Sequence, residues 1–301
     1  MDGKISNFEQ IANVRRYTLK GGRSDGLNVI DCDNGKIRFL LNESKALDMM
    51  QLYHEGQNIS FLSKNAFTTD KTHFINRFEG GMIYTCGLDN LGRKEGFEMH
   101  GTLHNLKAEV IRAECNENGI TVEAIIRDTQ LFGKNLVLKR KVFSAILSTE
   151  VVVSDTLINE GYTEQNYCLL YHINAGYPML DEGCEIKAEI KDFIPADEKA
   201  EQNESLMFNI ENSQPEKAEN CYYLNLGKPE ISLINPKIKK KFTVEYSKQT
   251  LPYFLEWKSM ASGDYALGLE PCTTEIRSLK HTPIKPNESV EFFVKLSIES
   301  I

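Results

Sequence analysis

The sequence predicts an all-β protein, a large antiparallel sandwich or barrel, and three observations carry that expectation. Apolar and polar residues alternate with a period of two through much of the chain, tight-turn residues separate the alternating runs, and no stretch sustains an amphipathic helical period. Short helices are expected near Phe8 to Val14 and near Leu47 to Gln51, where the helical signal is weak. The first clear strand, Gly35 to Leu41, follows Asp33-Asn34-Gly35, whose Asn-Gly pair tolerates positive φ and suits a tight hairpin. Asn118-Gly119 introduces Ile120 to Arg127 in the same way, and Phe132-Gly-Lys-Asn135 separates it from Leu136 to Phe143. Glu150 to Leu157 ends at Asn159-Glu-Gly161, and the last strand, Val290 to Ile298, follows Lys285-Pro-Asn-Glu288. The acidic, aperiodic stretch 197–220 reads as an exposed loop or insertion, and Lys237 to Lys241 as a solvated strand end or turn.

Length and charge narrow the function. At 301 residues the chain could hold two domains, but sandwiches of this size run as one, and nothing marks a boundary, so 1–301 is taken as a single domain. A formal net charge of −8 argues against a nucleic-acid or anionic-membrane partner, since no basic excess exists to neutralise phosphates. The N-terminus lacks the features of a secretory signal, and no apolar run is long enough to span a bilayer. Seven dispersed cysteines with no Cys-x-x-Cys pair suit a reducing compartment, so a cytoplasmic location is expected. An exposed sheet edge could pair two copies into a homodimer.

The residue that most needs a chemical reason is Glu270. It lies in the apolar run Tyr265 to Leu269, which Pro271 ends, and a carboxylate carried into such a strand is costly to desolvate unless paired or needed. Upstream, His172 sits in Cys168-Leu-Leu-Tyr-His-Ile173, followed by Asn174, Gly176 and Pro178. His100 precedes Gly101, which lets a ligand approach the backbone closely, and His104 follows within the same segment. Each histidine alone could be an ordinary satisfied residue, and Trp257 and Lys258 could be core packing and a snorkelling cation. Together they suggest more. A glutamate and a histidine in different environments can move protons on and off neutral oxygens near pH 7, and arginine, asparagine and aromatic rings suit a polyhydroxylated ligand. Such chemistry asks for no cofactor. A metal site built from Glu98, His100, His104 and His172 is a weaker reading, because the tight His-x-His pair usual in such sites is missing.

Four segments in order, Arg77 to Gly92, His100 to Asn105, Tyr171 to Pro178 and Leu267 to Thr273, give the chain a resemblance to the aldose 1-epimerase (galactose mutarotase-like) superfamily, specifically to a little-characterised mutarotase-related branch. The resemblance implies a single large antiparallel β-sandwich, the galactose mutarotase-like supersandwich with few short helices, whose concave face binds a sugar. It implies an isomerase in which Glu270 is the general base and His172 the general acid. His100 would bond the ring oxygen or a neighbouring hydroxyl, and Arg77, Asn174, His104, Trp257 and Lys258 would contact the substrate. A carbohydrate-binding or sensing protein on the same fold is the alternative. The sequence departs from the better-known members in one respect. They carry a sugar-binding aspartate between the second histidine and the glutamate, whereas Asp192, Asp197 and Glu216 occupy that interval here without a matching motif.

Overall fold

The computed structural model describes residues 3–276, 278 and 281–301. Five N-terminal strands, β1 (Asn13–Thr18), β2 (Asn28–Asp33), β3 (Ile37–Asn42), β4 (Asp48–His54) and β5 (Gln57–Asn58), pair in sequence order into one antiparallel sheet. The remainder forms a second sheet from β6 (Ile83–Leu88), β7 (Ala108–Asn116), β8 (Gly119–Thr129), β9 (Asn135–Ser144), β10 (Glu150–Asn159), β11 (Gln165–Gly176), β12 (Glu185–Pro195), β13 (Asn220–Asn235), β14 (Lys240–Tyr246), β15 (Tyr253–Ala261), β16 (Asp264–Cys272), β17 (Thr282–Ile284) and β18 (Ser289–Ser300). Its order is β17-β11-β16-β15-β13-β14-β18-β10-β9-β8-β7, with β12 added on β13 and β6 on β11. Helix is confined to short pieces such as α1 (Phe74–Arg77) and α2 (Glu198–Glu201). The fold is therefore the mutarotase-like antiparallel β-sandwich that the sequence led us to expect. Among the described residues no helix is long and apolar enough to cross a membrane.

The strands read from alternation and turns are β3, β8, β9, β10 and β18. Both expected helices are corrected. Phe8–Gln10 is a single 3-10 turn and Asn13 already enters β1, while Leu47 to Gln51 runs into β4. Isolated apolar positions in these short segments fit either period, and sheet pairing settled the matter. Lys240 also differs from a solvated strand end. It is buried, with its ammonium 2.9 Å from His54 Nδ1 and 2.7 Å from Glu55 Oε2.

Period two divides β11 cleanly. Leu169, Tyr171, Ile173 and Ala175 enter the main core, whereas Cys168, Leu170, His172 and Asn174 face the other way. On β16, Leu267 and Leu269 face the core, and Gly268, Glu270 and Cys272 share the opposite face.

Inside the sandwich a polar network crosses between the sheets. Arg140 lies directly opposite Asp155 on the neighbouring strand and bonds it through Nε and Nη2, while its Nη1 reaches Asp48 Oδ1 at 2.6 Å and the Ala46 carbonyl at 2.9 Å. Tyr171 donates its hydroxyl to Asp155 at 2.7 Å, and Thr85 bonds Asp48 through backbone and side chain. Burial alone would push the Asp48 carboxyl up. The hydrogen bond from His104 and the nearby charge of Arg140 outweigh it and hold the group below the usual carboxylate range. Removing one member of a buried ion network strands the others in a low-dielectric interior. Arg140→Leu is therefore expected to cost about 3–5 kcal/mol of stability, read from urea unfolding; a loss under 1 kcal/mol would contradict the role assigned to the network.

Candidate active site

Three adjacent strands deliver a row of side chains to the site face. In the β6–β11 register Tyr84 pairs with His172. In the β11–β16 register Leu170 faces Cys272 and Asn174 faces Gly268, which sets His172 opposite Glu270. Sheet spacing thus places Tyr84, His172 and Glu270 side by side on one face. His172 Nδ1 lies 3.2 Å from Glu270 Oε1, with both side chains buried. The contact lacks hydrogen-bond alignment, and His172 Nδ1 and both Glu270 oxygens are buried without hydrogen-bond partners among the described residues.

Such unsatisfied polar atoms are expensive, and their protonation responds. Burial pushes the Glu270 carboxyl well above the usual carboxylate range, and the charge of Glu219 acts in the same direction. Burial pulls His172 down to about 3, with His100 adding to the effect and Asn174 opposing it. His100 is likewise lowered by burial, to about 4. Burial therefore favours the protonated form of Glu270 and the neutral form of His172.

The surroundings of Glu270 keep it dry. The thiols of Cys86, Cys168 and Cys272 cluster with Leu170 and Leu91 on the same face, and burial raises all three, Cys168 to about 12, so they remain neutral. Gly268 makes room for the carboxylate. A Cβ there would come within 2.3 Å of Glu270 Oε1 and 3.1 Å of Trp257 Cβ. Trp257, which pairs with Gly268 from β15, packs its ring 5.2 Å from that of His172. Phe78 stands 5.6 Å from His172 and nearly perpendicular to Trp257 at 6.4 Å. Phe78 and Trp257 are half-buried, and their rings pack against each other and against His172.

His100 reaches this cluster from a loop. Its ring centre is 5.6 Å from that of His172, and its backbone is left-handed at φ 64°. Positive φ is unusual for histidine and is held here by hydrogen bonds from His100 N to Gly92 O and from Gly87 N to His100 O. Gly101, at φ 77°, could not carry a side chain, since a Cβ would lie 2.3 Å from Gly87 O.

The other residues singled out in the sequence divide. Asn174 shares the face, but its amide donates to the Gly81 and His172 carbonyls, so it ties strands together, leaving its Oδ1 buried and unpartnered. Arg77 is engaged elsewhere. Its guanidinium bonds the Thr72 carbonyl, Asn105 and Glu98. His104 stacks on the far side of Tyr84 at 3.7 Å and sits between Asp48, 2.6 Å from Nδ1, and Glu79, 3.4 Å from Nε2. Lys258 is not brought to the site. It leaves the opposite face of β15 from Trp257, meets Glu256 at 2.9 Å and donates to the Met207 carbonyl at 2.7 Å. Glu98, His100, His104 and His172 do not gather as ligands, because Glu98 holds Arg77 and His104 holds Asp48.

Four residues at the site escaped notice in the sequence. Gly268 could have been found two positions before Glu270 on the same strand face. Tyr84 needed the strand pairing, Phe78 is placed by the end of α1, and Glu219, which accepts the Trp257 indole N–H at 2.8 Å, comes from the aperiodic acidic stretch.

Comparisons with known proteins bear on the fold. The model of a family described as "Domain of unknown function (DUF4432)" matches residues 24–286. The chain belongs to this family. No curated protein matches it. Among solved structures, the DUF4432 chain resembles a Klebsiella pneumoniae protein named as a candidate aldose 1-epimerase, with a TM-score of 0.86, 16% identity, and 97% of this chain and 86% of that chain covered. It resembles a galactose mutarotase-like protein of Clostridium acetobutylicum with a TM-score of 0.76, 17% identity, and 97% and 100% covered. Galactose 1-epimerase from Lactobacillus acidophilus aligns with a TM-score of 0.68, 12% identity, and 96% and 99% covered. These likenesses establish a shared fold with aldose 1-epimerases at a distance at which sequence alone says little about activity.

A neutral buried Glu270 has a pH signature. Its folded pKa is raised, so its contribution to stability is fully present below the unfolded value near 4.5 and is lost as pH rises through the folded value. His172 acts oppositely, since its depressed pKa means stability is lost as pH falls from the unfolded value near 6.5 towards about 3. Glu270→Gln carries no proton to lose. Its gain in Tm over the native protein should be small at pH 4.5 and grow as pH rises above that value, levelling once the folded Glu270 titrates. A pH-independent difference would show that Glu270 is not held neutral.

Proposed function

We propose that this protein interconverts the anomers of a reducing sugar, with Glu270 and His172 as the proton-transferring pair. The observation that carries the reading is their placement 3.2 Å apart, buried and unpartnered, beside the aromatic rings of Trp257 and Phe78. A purely structural pair would gain stability by completing its hydrogen bonds. Buried donors and acceptors left open suit a ligand that brings hydroxyls and a ring oxygen.

With Glu270 protonated and His172 neutral, the pair has one proton to transfer between them. Hydroxyls entering the site re-solvate the pair, and transfer of that proton to His172 gives a carboxylate beside an imidazolium. Glu270 then takes the proton from the anomeric hydroxyl as His172 protonates the ring oxygen. The bond between C1 and the ring oxygen breaks, and an open-chain aldehyde forms. Glu270 is again protonated and His172 neutral, so the resting protonation of the dry site matches that of the ring-opened intermediate. Rotation about C1–C2 and reversal of both transfers closes the ring on the other face. Protons balance without a cofactor. His100, neutral and 5.6 Å from His172, is placed to hydrogen-bond an oxygen near C1. Tyr84, whose buried hydroxyl lacks a partner among the described residues, extends the same row.

Polarimetry or NMR on freshly dissolved pure anomers tests the proposal. Acceleration by the native protein and a loss of roughly a hundredfold or more in Glu270→Gln, with sugar binding retained, are expected. His172→Asn should lose a comparable factor. No acceleration of any sugar, with thermal stabilisation by one, would make this a binding protein. Gly268→Ala should lower kcat at least tenfold, because the added methyl would crowd Glu270 Oε1 at 2.3 Å and Trp257 Cβ at 3.1 Å.

A further inference from the structure

We propose that Glu219 selects the substrate by charge, so that the site takes a neutral, unphosphorylated sugar. This rests on the sugar-binding reading above and narrows it. Glu219 ends the acidic stretch that enters β13, and its Oε2 accepts the Trp257 indole N–H at 2.8 Å. The same indole packs 5.2 Å from the His172 ring. An exposed carboxylate is thus fixed on the rim beside the pair, near enough for its charge to bear on Glu270.

Among the described residues no lysine or arginine forms an ion pair with Glu219, and Lys217, two residues away, pairs instead with Glu211 at 3.0 Å. Arg77 pairs with Glu98, Lys45 with Glu79, and Lys258 with Glu256 on the far face of β15. Beneath the site, Asp48, Glu79 and Asp155 are set against Lys45 and Arg140. A carboxylate accepts hydrogen bonds from hydroxyls but repels a phosphate, and the repulsion strengthens where aromatic rings exclude water. The polar stretch 197–219 is fastened by several contacts, among them Lys258 on the Met207 carbonyl, Tyr265 on the Glu211 carbonyl and Trp257 on Glu219.

Glu219→Gln removes the charge and keeps a carbonyl oxygen for the indole. The experiment measures anomer interconversion and thermal stabilisation for a panel of hexoses and pentoses and their terminal phosphates, with native and variant protein. The native protein is expected to favour the parent sugar over its phosphate by about tenfold or more in kcat/KM, and the variant to narrow that ratio by a similar factor. A native protein that handles the phosphate as well as its parent, or a ratio unmoved by Glu219→Gln, overturns the selector and leaves the isomerase intact. Stabilisation by parent sugars only, extended to phosphates in the variant but without acceleration, supports the selector and overturns the isomerase. Neither acceleration nor stabilisation by any sugar in either protein overturns both.

Discussion

Desolvation of Glu270 is the constraint on which this face of the molecule depends. A carboxyl group with both oxygens buried and unpartnered raises the energy of the fold, and its surroundings are what keep it there. Gly268 clears space for it, the neutral thiols of Cys86 and Cys272 line its flanks, and the indole of Trp257 closes over the adjoining position. Each choice would be odd in a strand selected for stability alone. Together they favour the protonated form of a carboxyl group set beside an imidazole.

The polar network inside the sandwich answers a different need. Arg140, Asp48, Asp155, Thr85 and Tyr171 satisfy one another almost completely, and His104 joins them through Asp48. Its outer surface is the His104 ring, on which Tyr84 lies flat. The densely bonded network and the unbonded pair therefore stand one side chain apart, linked by Tyr84. Rigid polar groups behind and open polar groups in front is the arrangement that pre-organises a site while leaving its ligand-facing atoms unfilled.

Much of this was legible in the sequence, and for physical reasons. Strands β3, β8, β9, β10 and β18 announce themselves because one face is buried and the turns between them use Asn-Gly or Gly with fixed backbone demands. Strands β12 to β15 were not read, since long strands with bulges or buried polar residues such as Glu256 and Lys258 blur the alternation. Glu270 stood out because a charge in an apolar strand is costly wherever it occurs. Lys258 misled for a related reason. It sits beside Trp257, yet neighbours on a strand point to opposite faces, so adjacency counted against it. Glu219 had no local signal, because its role follows from a contact between distant segments.

The two kinds of scaffold under the site differ in how far they can drift. Tyr84, His172 and Glu270 are locked to one another by strand register, and a slip of a single residue in β11 would turn His172 into the core and Tyr171 outward. The acid–base pair can therefore be kept or lost, but not repositioned by degrees. His100 and Glu219 hang from loop segments whose lengths and sequences can change while every strand stays in place. Loop changes can therefore alter what surrounds Glu270 and His172 without altering how those two side chains face each other.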